Sequence, residues 1–416
     1  METKSKEPFF HISKRDDLSA GKAWAIRLGA IVAALLVCGI VTTIVTGIDP
    51  IQVYISMFQG AFGTTRKIWI TLQNLSILLI ITLALTPAFK MKFWNIGGEG
   101  QILMGGLAAA ACMICLAGKL PNAVIMLLMV ITSIAAGAIW GGIPAVFKAK
   151  WGTNETLATL MMNYIAIQLV AYYIIVWEVP KGSGKIGIIN QSDSIGWLPN
   201  ILGSKYLLSI VVAVIVTIFM YIYLKYSKHG YEISVVGESV PTARYIGIKV
   251  EKVIIRTMLL SGGLCGLAGL LLVGGINHTI TTTITDSQGF TAVMTSWMAK
   301  FNPVGMVFTC LLIIFMGRGS GEISTSFGLN QSFSDIMTGI ILFFIIGCEF
   351  FINYRLSRPQ KASAEVPAPS AEAAAADDSS GSDENISEST GASGGSDGSG
   401  VDGQSAAEEN NGKEEK

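Results

Sequence analysis

Long apolar runs, separated by short polar stretches, make up most of the chain between residues 24 and 351. A helix of about 20 apolar residues spans the hydrocarbon core of a bilayer, which is roughly 30 Å thick. Nine runs approach that length: residues 24–47, 68–87, 101–117, 123–146, 157–176, 207–224, 253–276, 304–316 and 336–351. The pattern predicts an all-α, polytopic integral membrane protein.

Two shorter stretches complete the pattern. Residues 288–298 are apolar but interrupted by polar side chains, and counting them gives about ten transmembrane helices. Residues 51–62 are apolar, but they are too few to cross and they precede Arg66 and Lys67. We expect an interfacial or re-entrant helix there.

Lys and Arg residues between the runs predict the orientation. With a cytoplasmic N-terminus and a crossing at 288–298, the cytoplasmic segments carry about 17 of these residues and the outer segments about seven. Both termini are then cytoplasmic, which requires an even number of crossings and so favours ten. We predict a cytoplasmic N-terminal segment over residues 1–23, a transmembrane domain over residues 24–352 and a cytoplasmic tail over residues 353–416.

The net charge of zero is an average over two unlike regions. From Ala362 onward the chain has 13 acidic residues, two lysines and no aromatic residue. The preceding 361 residues hold 27 basic and 16 acidic residues. Because the tail has too little apolar surface to offset the entropy of ordering, we predict that it is disordered.

Catalytic and metal-binding patterns are missing from the sequence. There are only three histidines, and neither a Ser/His/Asp set nor a metal-ligand cluster is apparent. The segment Gly182–Lys185 resembles the end of a phosphate-binding loop, but the first glycine and the final Ser or Thr of that motif are absent. We expect no enzyme activity, no metal site and no cofactor in this chain.

Polar residues inside or next to the apolar runs are the candidates for chemistry. Asn95, Glu99 and Gln101 belong to the glycine-rich segment 93–101, which is either an exposed turn or an irregular segment that enters the membrane. Asn163 lies about two turns into a predicted span, where an unpaired amide is costly, so it faces either another helix or a solute path.

Two polar connections are also candidates. The outer one contains Asn277 and five threonines before Asp286, which suits either a lining for a polar neutral solute or a plain solvated loop. The inner one, residues 226–252, is compatible with a short helix from Pro241 to Tyr245, with Ser239 near the N-cap position. Such a helix is either an amphipathic surface element or a docking element for a soluble partner.

Four segments in order resemble a known family: FWNIGGEGQ at 93–101, GTNETLATLMMNY at 152–164, GESVPTARYIGI at 237–248 and residues 289–303, which end in Phe301-Asn302-Pro303. Over about residues 24–351 the chain resembles permease subunits of bacterial ABC importers of the branched-chain amino acid and ribose type. Within that type it most resembles the nucleoside and simple-sugar permeases that work with basic-membrane-lipoprotein binding proteins.

This resemblance implies a multi-pass subunit of a bacterial plasma (inner) membrane that translocates nucleosides. Its implied partners are the lipid bilayer, a second permease that is usually a different chain, ATPase subunits that bind the ATP, and a lipid-anchored or periplasmic substrate-binding protein. No nucleic acid is implied. The path candidates are then Asn95, Glu99, Gln101, Asn163 and Asn277.

The same resemblance makes residues 237–248 the element that couples the permease to its ATPase, with Gly237, Glu238, Arg244, Tyr245 and Gly247 as candidates. In one departure from the family, Pro241-Thr242-Ala243 precedes Arg244 where paired alanines are common.

Three alternatives stay open. One is a permease of the same architecture for ribose or another simple sugar. Another is an ion-coupled secondary transporter, which needs an ionisable group in mid-membrane, and the predicted spans contain almost none. The third is a membrane scaffold whose tail recruits partners.

Overall fold

The computed structural model describes residues 11–14, 19–47 and 49–357, and the predicted disordered tail lies outside them. Helices form most of this part of the chain. They are α1 Ala20–Thr46, α2 Pro50–Phe62, α3 Thr65–Lys90, α4 Gly98–Cys115, α5 Asn122–Trp151, α6 Glu155–Trp177, α7 Leu207–Tyr226, α8 Lys228–Glu238, α9 Val240–Tyr245, α10 Val250–Leu270, α11 Gln288–Met298, α12 Pro303–Ser326 and α13 Gln331–Asn353.

Nine membrane-spanning segments are found among the described residues, by length and composition, which confirms the polytopic all-α prediction. One of them joins α10 to a π-helical turn, Leu271–Asn277. α12 runs ten residues past the predicted end at Met316, because the polar residues after it lower hydropathy without breaking the helix. α2 forms where a short helix was predicted; its placement at the interface or inside the membrane stays a prediction.

Local sequence explains where several helices begin and end. The Asn154 side chain accepts from Thr156 N and Leu157 N at the start of α6, and Asn302 caps α12 in the same way. Gly152 ends α5 in the left-handed conformation, which glycine adopts without strain.

Glycines allow the central helices α4, α5 and α10 to pack at close range. A Cβ on Gly266 would overlap the carbonyl oxygen of Ser133 on α5, and one on Gly269 would overlap that of Ile102 on α4. Small residues at helix interfaces are the usual means of close packing in membranes, where there is no water to drive helices together. These close contacts hold together α4, α5 and α10, the helices beside which the buried polar residues lie.

The two ends of the described chain meet. Strand β1, His11–Lys14, pairs antiparallel with strand β2, Tyr354–Ser357. An even number of crossings, which would put both termini on one side, stays a prediction. α11 has 11 residues and covers only ~16 Å, so a tenth crossing would need the irregular residues 278–287 as well as α11.

Candidate functional site

Four of the five path candidates come together in one place. Asn95, Glu99, Gln101 and Asn163, called the polar cluster below, are buried, and the first is 0 % and the last 2 % exposed. Asn163 on α6 donates to Ile96 O at 2.9 Å and accepts from Gly100 N at 2.8 Å. It therefore fixes the chain just before and just inside α4.

Asn95 forms the centre of a second set of contacts. Its Oδ1 accepts from Gly97 N at 3.0 Å and from Gln101 Nε2 at 3.1 Å, and its Nδ2 donates to Ser261 Oγ at 3.2 Å. These bonds satisfy the donors of a non-helical segment that packs against α10. The glycine-rich segment is thus an irregular piece of backbone buried in protein.

Glu99 joins α4 to α11. Its carboxylate accepts from the Thr285 hydroxyl and from Gly289 N, the latter at 2.9 Å. Gly289 has no room for a side chain here, since a Cβ would lie 2.5 Å from Glu99 N. The start of α11 is held at the start of α4.

The position of Ser261 gives the depth of this cluster. Ser261 lies 11 residues beyond Val250, the first residue of α10, which is ~16 Å along the helix axis. The spanning segment Val250–Asn277 has 28 residues, so Asn95 contacts it within its first half. Non-helical backbone inside a membrane is tolerated only within protein or beside water.

One side of this region is exposed. Along α11 the exposed side chains are Phe290, Met294 and Trp297, at helical spacing, and Asp286 is exposed just before the helix. These four residues are called the α11 face below. Asp286 directly follows Thr285, which contacts Glu99 in the first turn of α4, so the exposed carboxylate of Asp286 lies beside the start of a spanning helix. A charge in contact with lipid at the centre of a bilayer costs at least ~2.5 kcal/mol, so an aqueous surface suits Asp286 better than lipid.

Trp94 borders this face. Burial alternates from Met91 to Asn95, as in a strand, so that Lys92 and Trp94 are exposed while Met91, Phe93 and Asn95 are buried. The ring of Trp94 stacks on that of Trp297, with centroids 5.3 Å apart. Sequence reasoning missed Trp94 and the α11 face, because the alternation around Trp94 is one of burial and does not appear in the hydrophobicity of residues 91–95.

Asn277 is separate from the polar cluster. It is exposed at the end of the π-helical turn, and His278 follows it in the left-handed region. The His278 ring stacks on Trp197, from the connection between α6 and α7, with the ring centroids 3.8 Å apart. Burial, with a smaller contribution from the charge of Lys205, lowers the pKa of His278, which favours the neutral imidazole.

The inner connection contains the predicted short helix. Ser239 caps α9 by accepting from Thr242 N at 3.3 Å, and Pro241 lies in the first turn, where it needs no hydrogen-bond partner. The departure from paired alanines therefore leaves the helix in place.

The five coupling candidates occupy distinct positions on this connection. Gly237, near the end of α8, packs against Lys90 O at the end of α3, and Gly247 has a φ of +86°. Arg244 pairs with Glu251 at 3.3 Å. Glu238 ends α8, and the Tyr245 side chain is 91 % exposed.

A groove of about 270 Å³ lies beside α9. It is lined in part by Lys92, Lys148, Glu155 and Glu238, and Lys148 pairs with Glu155 at 2.8 Å. Within the described residues, no group of three or more His, Cys, Asp or Glu side chains could hold a metal ion.

Comparison with known proteins identifies a family whose sequence pattern this chain matches. The family described as the permease component of branched-chain amino acid transport systems matches residues 68–346. The guanosine ABC transporter permease protein NupP of Bacillus subtilis is 30% identical over 77% of this chain and 91% of its own length. The nucleoside ABC transporter permease protein NupB of Lactococcus lactis is 27% identical over 80% of this chain and 93% of its own.

A sugar permease also matches. The glucose ABC transporter permease protein TsgB13 of Haloferax volcanii is 25% identical over 83% of this chain and 93% of its own length. The two bacteria named above each have a second nucleoside or guanosine permease that matches over only 52–53% of this chain, at 24% identity. The chain is thus more similar to one of the two permeases in each species.

Proposed function

The chain belongs to the family of branched-chain amino acid transport permease components, and we propose that it is the permease through which an ATP-driven importer takes up nucleosides. The 30% identity to a guanosine permease over most of both chains supports this substrate class. The single observation that carries a transport path is Asp286, a carboxylate exposed beside the start of the spanning helix α4.

We propose that the path runs along the α11 face. Hydroxyl groups of residues 281–287 would lie toward the outer end, and Trp94 and Lys92 toward the inner end. The polar cluster would hold this wall in shape from behind, and direct contact of its side chains, or of Asn277, with the solute stays a prediction. A second permease would supply the opposite wall.

That second permease is proposed to be a different chain. Support comes from the species that have two such permeases, of which this chain resembles one more than the other. A substrate-binding protein would deliver the solute from outside. Both termini would be cytoplasmic, in a bacterial plasma membrane, as the loop charges predict.

ATP would act from separate subunits docked at α9. Arg244 and the exposed Tyr245 would contact the ATPase, since Arg and aromatic side chains are enriched at interface hot spots. A carboxylate in place of Arg244 would lie beside Glu251 and repel it, so Arg244→Glu should release the ATPase or abolish its stimulation by substrate. Tyr245→Ala should do the same, and Lys228→Glu, a charge reversal on α8, is the control. Wild-type co-purification and stimulated hydrolysis in both variants would refute the coupling role.

Uptake by the complete transporter tests the substrate class. Proteoliposomes that contain the permease pair, ATPase and binding protein should take up guanosine in an ATP-dependent manner. They should exclude glucose added at the same concentration. ATP-dependent uptake of glucose but not of nucleosides would instead assign the sugar function of the archaeal relative. Uptake driven by an ion gradient without ATP would contradict both.

A further inference from the structure

Two exposed tryptophans meet at the inner part of the α11 face. The rings of Trp94 and Trp297 are 5.3 Å apart and 27° from parallel, and they are 44 % and 46 % exposed. They come from distant parts of the chain, one from the segment before α4 and one from the last turn of α11. Together they present a broad aromatic surface.

Buried aromatic rings support this pair. Phe89 is 4 % exposed, and its ring meets Trp94 at 6.2 Å and Trp297 at 6.4 Å, both edge to face. Phe301 contacts Trp297 at 5.5 Å from a backbone φ of +59°, which is rare for a bulky residue. Residues from four separate segments of the chain thus form one aromatic group, in which the two tryptophan rings are exposed.

Backbone contacts fix the position of Trp94 as well. Its carbonyl oxygen accepts from Ile96 N at 3.2 Å and from the Thr159 hydroxyl at 3.4 Å. Asn95, the next residue, is bound to Ser261 on α10. The indole is therefore held at a fixed position in the fold.

The surroundings indicate a polar solute and not an acyl chain. Asp286 is exposed further along the α11 face. An aromatic surface on a face that also exposes a carboxylate suits a ligand with a flat π-system and polar edges. Nucleobases have this character, and they stack on aromatic side chains largely irrespective of base identity.

We propose that Trp94 and Trp297 form a stacking platform for the nucleobase of the solute as it moves along the path. This inference rests on the proposed uptake of nucleosides. The platform would give a weak, base-tolerant contact in the inner half of the path, where tight binding would slow release.

Uptake rates of variants in the complete reconstituted transporter test the platform. Trp94→Ala and Trp297→Ala should each lower the initial rate of guanosine uptake about tenfold, the size expected when a base loses an aromatic partner. Trp94→Phe keeps a ring and should retain at least a third of the wild-type rate. Trp151→Ala, at an exposed tryptophan that ends α5, is the matched control and should stay within twofold.

A second measurement reports contact directly. Irradiation with 8-azidoguanosine should label the peptide that contains Trp94 or Trp297, and excess guanosine should prevent the labelling. ATPase co-purification should be unchanged in all variants.

Wild-type uptake in both alanine variants, or labelling confined to other peptides, would overturn the platform alone. Loss of ATPase co-purification in the alanine and phenylalanine variants alike would show a structural role instead. No nucleoside uptake by the wild-type transporter would refute the proposed function, and the platform with it.

Discussion

The polar cluster and the α11 face lie on two sides of the same short stretch of chain, residues 93–101, and differ in their access to water. Asn95 and Asn163 are buried and hydrogen-bonded within the protein, whereas Trp94, next to Asn95 in sequence, is nearly half exposed. Polarity therefore does not mark the proposed path. The amides hold irregular backbone in place, and on our proposal the neighbouring exposed rings and Asp286 are available to a solute.

The difference also shows how a membrane protein can present an irregular surface at depth. Unpaired backbone groups are costly away from water, so each N–H freed by the non-helical segment needs a partner. Asn95 and Asn163 accept from Gly97 N and Gly100 N, and Glu99 accepts from Gly289 N at the start of α11. The other side of the segment is then free to carry side chains selected for the solute.

The largest effect on folding is expected at Gly266, where α10 touches α5 behind the polar cluster. Gly266→Ala would place a Cβ against the Ser133 carbonyl, and backbone cannot move aside cheaply, so we expect loss of most folded protein. Gly317→Ala on α12 adds the same methyl where nothing lies within 4 Å and should fold normally. The yield and monodispersity of each purified variant in detergent measure the effect of the two substitutions. A folded Gly266→Ala protein with wild-type yield would mean that the central helices pack less closely than described.

A smaller loss of stability is expected within the cluster. Asn163→Ala leaves Gly100 N and Ile96 O buried without partners, which should lower the free energy of unfolding by about 2 kcal/mol. Asn277→Ala, at the exposed path candidate, should change it by less than about 0.5 kcal/mol. Thermal unfolding of the two purified variants gives the comparison. Equal effects would remove the distinction between a structural and an exposed amide.

The smallest effect on stability is expected at the α11 face. On the proposed path Asp286 contacts water, so Asp286→Asn should change the free energy of unfolding by less than about 0.5 kcal/mol. A carboxylate against lipid would behave differently, because neutralising it should stabilise the protein by ~2.5 kcal/mol or more. The same thermal assay distinguishes these cases, and a large stabilisation would place Asp286 outside the path.

Much of the fold follows from sequence because lipid demands long apolar helices. The predicted spans correspond to the observed helices, and the short helix after Ser239 was recognised from its cap and from Pro241. The predicted end of α12 was wrong, since the polar residues after Met316 stay helical. Hydropathy measures how favourable it is to transfer a side chain from water to lipid. A helix can continue where its side chains no longer favour that transfer.

The site was harder to predict because burial is a property of packing. Nothing in the composition of FWNIGGEGQ says that Asn95 is enclosed by α10 while Trp94 is exposed. Sequence did place Asn95, Glu99, Gln101 and Asn163 among the important residues, and the structure brings them together. The partners Ser261 and Thr285 could not be foreseen, since pairing across more than 160 residues depends on tertiary structure.

Thiol labelling tests the central claim, that the α11 face lines a water-filled path. Met294→Cys and Ile215→Cys place single thiols at exposed apolar positions, on α11 and on the outward side of α7 respectively, in a Cys115→Ser background. A charged methanethiosulfonate reacts with thiolate, which forms only in water. The account predicts that Met294→Cys in the assembled transporter reacts at least tenfold faster than Ile215→Cys, although Ile215 is the more exposed residue. Equally slow reaction at both positions would contradict it and place α11 against lipid.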